Sequence, residues 1–209
     1  SSQTSRPNFL REPQSMTSSP QYGTTWWGRR WLDALQAVDY ENRIPRGLAY
    51  AAEGKVQSLK IDSEAHAVKA RVAGNFDPFY AVKLTLPAIA EEDVSRLIDE
   101  MAESPLIVAR LAARELAPEI SEICERLGIK IFPESWSDLG MSCSCPDWAV
   151  PCKHIAAVIY KLSEEIDANP FVLFQMRGID LVAEMEKRGV QITRAVRTEM
   201  PLWSDLIAA

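Results

Sequence analysis

Apolar and polar residues alternate along three short segments in the first half of the chain. The segments are residues 56–61, 68–72 and 79–86, and turn-forming residues such as Gly74-Asn75 separate them. A period of two is typical of strands that bury one face and expose the other. Short turns between such segments favour antiparallel neighbours. The pattern therefore predicts a small antiparallel sheet with one solvated face.

Apolar residues at helical spacing dominate the remainder of the chain. Within residues 26–40, Trp27, Trp31, Leu35 and Val38 recur every three or four positions, which predicts an amphipathic helix with an aromatic stripe. Acidic residues or a proline at the first positions of a segment predict further helices. The remaining predicted elements are helices at residues 91–101, 105–116 and 118–128, a short strand at 129–132, a helix at 155–162 and two short helices at the C-terminal end.

One segment holds three of the four cysteines and one of the two histidines of the chain. Cys143 and Cys145 are separated by one residue, six residues follow, and Cys152 and His154 are again separated by one residue. Three thiolates and one imidazole are a recurring ligand set for tetrahedral zinc. The segment therefore predicts one structural Zn²⁺. Four protein ligands close the coordination shell, which argues against a catalytic, water-activating zinc.

A spacing of two residues predicts a different position for each ligand pair. Residues two apart share a face in a strand, so Cys143 and Cys145 fit a strand. Residues two apart in a helix point in nearly opposite directions. We therefore expect Cys152 in the turn before a helix and His154 in its first turn, with the helix N-terminus offsetting the negative charge of the site.

Two other interpretations of the cysteines remain open at this stage, a disulfide between neighbours and buried thiols without metal. A bridge between Cys143 and Cys145 would be a strained ring, and neither interpretation explains His154. Crowded cysteines suit metal ligation in a reducing compartment, so we expect a cytoplasmic protein. Cys124 stands apart and fits the inner face of a helix.

The ligand spacing resembles that of the SWIM zinc finger, in which CxC is followed by a variable gap and then CxH. The flanks resemble bacterial SWIM-containing proteins of the Swi/Snf-helicase-associated group. These flanks are Trp-Trp-Gly-Arg-Arg-Trp-Leu at residues 26–32, Ile-Pro-Arg-Gly at 44–47 with Tyr50, and Asn-Pro-Phe-Val-Leu at 169–173. The resemblance implies binding to DNA or to protein and does not decide between them.

Pattern and resemblance together predict an α+β fold. It comprises a small antiparallel sheet with helices, a ββα SWIM-type zinc finger and a helical C-terminal end. We expect four parts along the chain. They are a flexible tail at residues 1–21, a Trp-rich helix with the sheet and a helical segment at 22–135, the zinc finger at 136–168 and a short helical segment at 169–209.

A net charge of −6 argues against general nucleic-acid binding. A basic excess occurs only in residues 1–60, where Lys and Arg exceed Asp and Glu by three. The candidate contacts for nucleic acid or a partner are Arg29, Arg30, Arg43, Arg46, Trp148 and Lys153. We expect the tryptophans of residues 26–31 to face the core rather than to stack on bases, and Trp148 to cover the metal rather than to recognise a ligand.

The sequence carries no Gly-rich phosphate loop, no nucleophile elbow and no apolar run that could cross a membrane. We therefore expect a non-catalytic module without a membrane or small-molecule ligand. It would be an accessory subunit that recruits or couples a Swi/Snf-type helicase, or another DNA-associated ATPase, to DNA or protein, and would bind DNA weakly alone. The alternatives are a direct DNA-binding protein using the finger and the Arg/Trp patch, and an enzyme with an unrecognised site.

Overall fold

The computed structural model describes residues 22–33, 43–147 and 150–192, except for the side chains of Arg43 and Trp136. Several expectations concern residues outside these ranges. They are the tail at residues 1–21, the second half of the first helix, the last part of the C-terminal segment, and Trp148.

Four strands of the described residues form one antiparallel sheet in the order β1-β2-β3-β4. The strands are β1 (Val56–Asp62), β2 (Ala67–Ala73), β3 (Phe79–Thr85) and β4 (Gly140–Cys143). The first three strands confirm the predicted sheet. The fourth comes from the cysteine-rich segment and pairs with β3, with Cys143 opposite Val82. The described strand of the finger is therefore part of the main sheet.

Helices occupy most of the remaining described chain, and the fold class is α+β, as predicted. The helices are α1 (Trp26–Asp33), α2 (Arg43–Ala52), α3 (Glu91–Glu103), α4 (Pro105–Ala112), α5 (Glu119–Leu127), α6 (Lys153–Ala168), α7 (Phe171–Gln175) and α8 (Leu181–Glu186), and a 3₁₀ turn covers Trp136–Asp138. Gly128 ends α5 in a left-handed conformation with φ of 71°, as its position after the last apolar residue predicts.

Two segments differ from the prediction. The helix that was expected to reach residue 116 ends at Ala112, because Arg114 adopts a left-handed backbone conformation with φ of 61° that a helix cannot continue. The strand predicted at residues 129–132 is wrong. The carbonyl of Ile131 accepts from the guanidinium of Arg177, with both donor distances 3.2 Å, so a side chain rather than a neighbouring strand satisfies it.

Helix α6 is the central element of the core. Nine of its sixteen residues are buried, and it contacts α1, α2 and all four strands. The inner face of the sheet supplies residues such as Val68, Val72 and Leu84, whose side chains are fully buried. A helix buried around most of its circumference derives its stability from packing rather than from intrinsic propensity.

Helix α1 is attached to α6 by two indole groups. Nε1 of Trp27 donates to the carbonyl of Ile166 at 2.9 Å, and Nε1 of Trp31 donates to the carbonyl of Ile159 at 3.2 Å. The two side chains are 8% and 1% exposed. The prediction that these tryptophans face the core is confirmed.

Asp167 near the end of α6 fixes the start of α1. The backbone N–H groups of Thr24 and Thr25 both donate to its carboxylate at 2.9 Å. A Cβ on Gly28 would come within 2.0 Å of the same carboxylate. The glycine in the Trp-Trp-Gly-Arg-Arg-Trp sequence is therefore needed for the close approach of α1 to α6.

Helix α2 also crosses α6 at close range. A Cβ on Gly47 would lie 2.3 Å from the Cβ of Ala156. Further along α2, the ring of Tyr50 contacts the ring of His154 with centroids 5.6 Å apart. The close approach at Gly47 thus brings α2 next to a predicted zinc ligand.

None of the described helices combines the length and the hydrophobicity that crossing a bilayer requires.

We expect Trp31→Ala to lower the free energy of unfolding by about 3–5 kcal/mol, because it removes a buried indole and leaves a cavity. Trp31→Phe keeps most of the apolar contact and loses the donor to Ile159, so it should cost less. Denaturant unfolding followed by circular dichroism measures both changes. An alanine variant as stable as the wild type would contradict the core assignment.

Gly47→Ala is expected to destabilise the fold by about 1–3 kcal/mol, the usual range for overpacking. Ala156→Gly removes the methyl group that the new Cβ would meet, at a cost of about 1 kcal/mol within a helix. The double variant should be more stable than the sum of the two single effects predicts. Strictly additive unfolding energies would show that this contact does not limit the approach of α2.

Candidate metal centre

The four predicted ligands come from two neighbouring elements of the core. Cys143 is the last residue of β4, and Cys145 follows it by two residues. Cys152 is the N-cap residue of α6, and His154 lies in the first turn of that helix. The structure therefore places Cys152 and His154 as the spacing predicted.

Ser144 sets the orientation of the two cysteines that flank it. Its N–H donates to the carbonyl of Ala81 on β3 at 3.0 Å, and its hydroxyl accepts from the N–H of Ala81 at 2.9 Å. Pairing with β3 thus continues one residue beyond β4. Because Ser144 is exposed, Cys143 and Cys145 lie on the opposite side, where both are half-buried.

The donor atoms form a compact group. The three Sγ atoms and the imidazole nitrogen lie within 4.8 Å of one another. Nδ1 of His154 is 3.9 Å from Sγ of Cys143 and 3.8 Å from Sγ of Cys152. Ligand bonds of about 2.3 Å to sulfur and about 2.0 Å to nitrogen place such pairs about 3.6 Å apart around a tetrahedral zinc. The donor set therefore fits zinc in chemistry and in size.

His154 presents Nδ1 to the thiols and leaves Nε2 buried without a hydrogen-bond partner among the described residues. A neutral imidazole carries one proton, so metal binding through Nδ1 places that proton on Nε2. Zinc-bound histidines usually donate this N–H to an oxygen. Here the ring lies against two aromatic rings instead, Tyr80 at 4.7 Å and Tyr50 at 5.6 Å between centroids.

The start of α6 favours negative charge at Cys152. Hydrogen bonding from the Cys143 thiol lowers the pKa of Cys152 to about 4, and hydrogen bonds from His154 and the N–H of Ile155 act in the same direction. The same thiol pairing raises the pKa of Cys143. Within the thiol group negative charge is thus favoured at Cys152, and a bound zinc would hold all three thiols deprotonated.

Cys124 is not part of this group. It is buried on α5, and burial raises the pKa of its thiol to about 12. A protonated buried thiol behaves as a small apolar side chain, so packing is its role, as predicted. All four cysteines are free thiols, and the disulfide interpretation does not hold in this structure.

The candidate contact arginines lie on two helices that both pack against α6. Arg29 and Arg30 are exposed on α1, whose tryptophans donate to the carbonyls of Ile159 and Ile166. Arg46 is exposed on α2, which approaches α6 at Ala156. The three arginines therefore lie on elements other than β4 and α6, which position the metal ligands.

The candidates nearest the metal are only partly available for contact. Lys153, the first residue of α6, is half-buried, with its ammonium 4.5 Å from the ring centre of Tyr50. Trp148 lies outside the described residues, and Arg43 begins α2 without a described side chain. Tyr50 and Tyr80 are neighbours of His154 that were not predicted, since no sequence pattern connects them to the ligands.

Comparison with known proteins agrees with the geometry. Residues 136–163 match the SWIM zinc finger. The uncharacterized protein Rv2102 of Mycobacterium tuberculosis is 36% identical over 154 residues, which cover 74% of this chain and 55% of the relative. The chain thus spans about half the length of this relative. No solved structure matches the chain.

The ligand geometry and the SWIM match lead to the same conclusion. Residues 136–163 are a SWIM zinc finger, and Cys143, Cys145, Cys152 and His154 fit one structural Zn²⁺. The described parts of the chain contain no other group of three or more potential metal ligands.

Freshly purified protein should carry one zinc per chain, and Cys152→Ser or His154→Ala should abolish it. The loss should also lower the unfolding temperature, because binding free energy at a four-ligand site contributes to folding. Elemental analysis and thermal unfolding measure the two effects. Cys124→Ala is the matched control, since it removes a buried thiol that is not a ligand and should leave one zinc bound. Less than half an equivalent of zinc in the wild-type protein would contradict the assignment.

Proposed function

We propose that this protein is a non-catalytic, zinc-binding interaction module. In this proposal it acts as an accessory subunit of a Swi/Snf-type helicase or another DNA-associated ATPase. It recruits that ATPase to DNA or to a protein, or couples the ATPase to that target. The observation that carries the proposal is the closed set of four zinc ligands between β4 and α6. Three thiolates and an imidazole leave no coordination position for a substrate or a reactive water.

The position of the site in the core supports a structural role for the metal. Cys152 and His154 are 1% and 4% exposed, and α6 packs against both the sheet and the first two helices. A zinc ion here would hold β4 and α6 together. Such a site stabilises a surface for recognition without taking part in chemistry.

The charge around the finger supports dependence on a partner. Lys153 is the cation nearest the ligands in sequence, and its ammonium lies over the ring of Tyr50. Three thiolates and one Zn²⁺ also leave the centre with a net charge of about −1. Non-specific affinity for DNA comes largely from cations that neutralise phosphates. The finger therefore suits contact with a protein better than contact with a phosphate backbone.

Direct DNA binding through the finger and the Arg/Trp patch is the alternative. Its support is the exposure of Arg29, Arg30 and Arg46. Trp27 and Trp31 are buried and donate to α6 carbonyls, so they are unavailable for stacking on bases. The alternative thus depends on the arginines.

Co-purification of the tagged, zinc-loaded full chain from its native cell tests the proposal. We expect a DNA-dependent ATPase to be retained in stoichiometric amount by the wild type and by Cys124→Ala, and to be lost with His154→Ala. Adding purified protein to that ATPase should change its DNA-stimulated ATP hydrolysis. Recovery of no ATPase, or equal recovery with His154→Ala, would contradict the proposal.

A further inference from the structure

The outer face of the sheet carries a row of three lysines on adjacent strands. Lys60 of β1 pairs directly with Lys69 of β2, and Lys69 pairs with Lys83 of β3. All three side chains are exposed. On β4, Ser142 completes the row opposite Lys83. Directly opposite side chains have Cβ atoms about 5 Å apart, so this face concentrates positive charge.

This arrangement opposes folding rather than assisting it. Like charges placed directly opposite each other destabilise an antiparallel pair. Asp62 compensates one of the three ammonium groups, since its carboxylate lies 2.8 Å from Nζ of Lys69. Within the described residues, Lys60 and Lys83 have no carboxylate partner within 4 Å. A bound anion would relieve the repulsion.

The neighbouring row adds a cation and an aromatic ring. Arg71 lies beside Lys69 on the same face of β2, and its guanidinium is 3.5 Å from the ring centre of Phe79. The Phe79 side chain is 37% exposed, and Phe76 in the preceding turn is 88% exposed. Aromatic rings next to cations are the elements that bind single-stranded nucleic acids, where bases stack and phosphates pair with Lys and Arg.

These residues line a shallow depression of about 710 Å³. Hydroxyl groups of Ser58, Ser142 and Ser144 lie among its lining residues, together with the four cations. The four cations and Asp62 give this face a net charge of +3 on a chain whose net charge is −6. Serine hydroxyls donate to phosphate oxygens, so the hydroxyls and the charges suit the same ligand.

We propose that this outer sheet face, defined by Lys60, Lys69, Arg71, Phe79 and Lys83, binds single-stranded nucleic acid. The phosphodiester backbone would follow the cations while a base stacks on the exposed part of the Phe79 ring. This proposal rests on the function proposed above only in that both take nucleic acid as a target. An acidic peptide would pair with the lysines and have no use for the aromatic rings, and a rigid duplex could not place its bases against them.

Fluorescence anisotropy with the zinc-loaded full chain tests this proposal. The probes are labelled single strands of dT20 and U20 and a duplex of equal length, with polyglutamate as competitor. We expect micromolar binding of one or both single strands in 50 mM salt. Up to four phosphate contacts predict a slope of about −3 in log affinity against log salt. The dT20 and U20 arms show whether DNA or RNA is preferred.

Lys69→Gln with Lys83→Gln should weaken binding by about tenfold and reduce the salt slope. Lys130→Gln with Lys187→Gln is the matched control, because both lysines are exposed, lie outside the sheet and give the same change in net charge. The control should bind as the wild type does. The face variant should retain one zinc and unfold at about the same temperature as the wild type, because the surface ion pair between Lys69 and Asp62 that it loses is worth little and the lysine repulsion that it removes opposes folding.

Several outcomes would overturn the proposal. They are no binding by the wild type in 50 mM salt, equal losses in the face variant and the control, or equal or tighter binding of the duplex. Competition by polyglutamate as strong as by unlabelled dT20 would identify an acidic protein as the ligand instead. Since the assay needs no partner, its failure is distinguishable from failure to recover an ATPase.

Discussion

Zinc coordination between β4 and α6 fixes the start of the helix on which the other elements pack. Cys152 is the N-cap residue of α6 and His154 lies in its first turn, so ligation together with Cys143 and Cys145 would tie the start of this helix to the end of β4. From that starting point the helix presents Ala156 to Gly47 of α2 and the carbonyl of Ile159 to Trp31 of α1. Disturbing the metal centre would therefore affect packing well beyond the finger.

Sequence reasoning succeeded where the deciding interactions are local. Alternating burial located three strands, and ligand spacing located both metal-binding pairs, because residues two apart are related by the geometry of a single element. Sequence reasoning failed where contacts between residues distant in sequence determine the local structure. Arg177 satisfies the carbonyl of Ile131 and removes the need for a strand. The pairing of β4 with β3 and the packing of Tyr80 on His154 likewise depend on contacts distant in sequence.

Charge counting along the chain overlooked a second basic surface for the same reason. Residues 61–141 contain seven more acidic than basic residues, and this average conceals three cations on the outer face of β2 and β3. The exposed alternate positions of β2 and β3 include Lys69, Arg71 and Lys83. Combining charge with the two-residue period would have revealed them. The carboxylates of the same stretch lie mainly on the helices, away from the outer sheet face.

The side chains of β4 alternate between the two faces of the sheet, and this alternation connects the zinc site to the proposed nucleic-acid face. Along β4 and its extension, Cys143 and Cys145 lie towards α6, whereas Ser142 and Ser144 lie on the outer face. A four-residue strand at the edge of a sheet has few hydrogen bonds of its own, so ligation of its cysteines is the interaction best able to hold it in register. A register shift of one residue would exchange the two faces. Zinc would thus preserve the outer face without contacting its ligand.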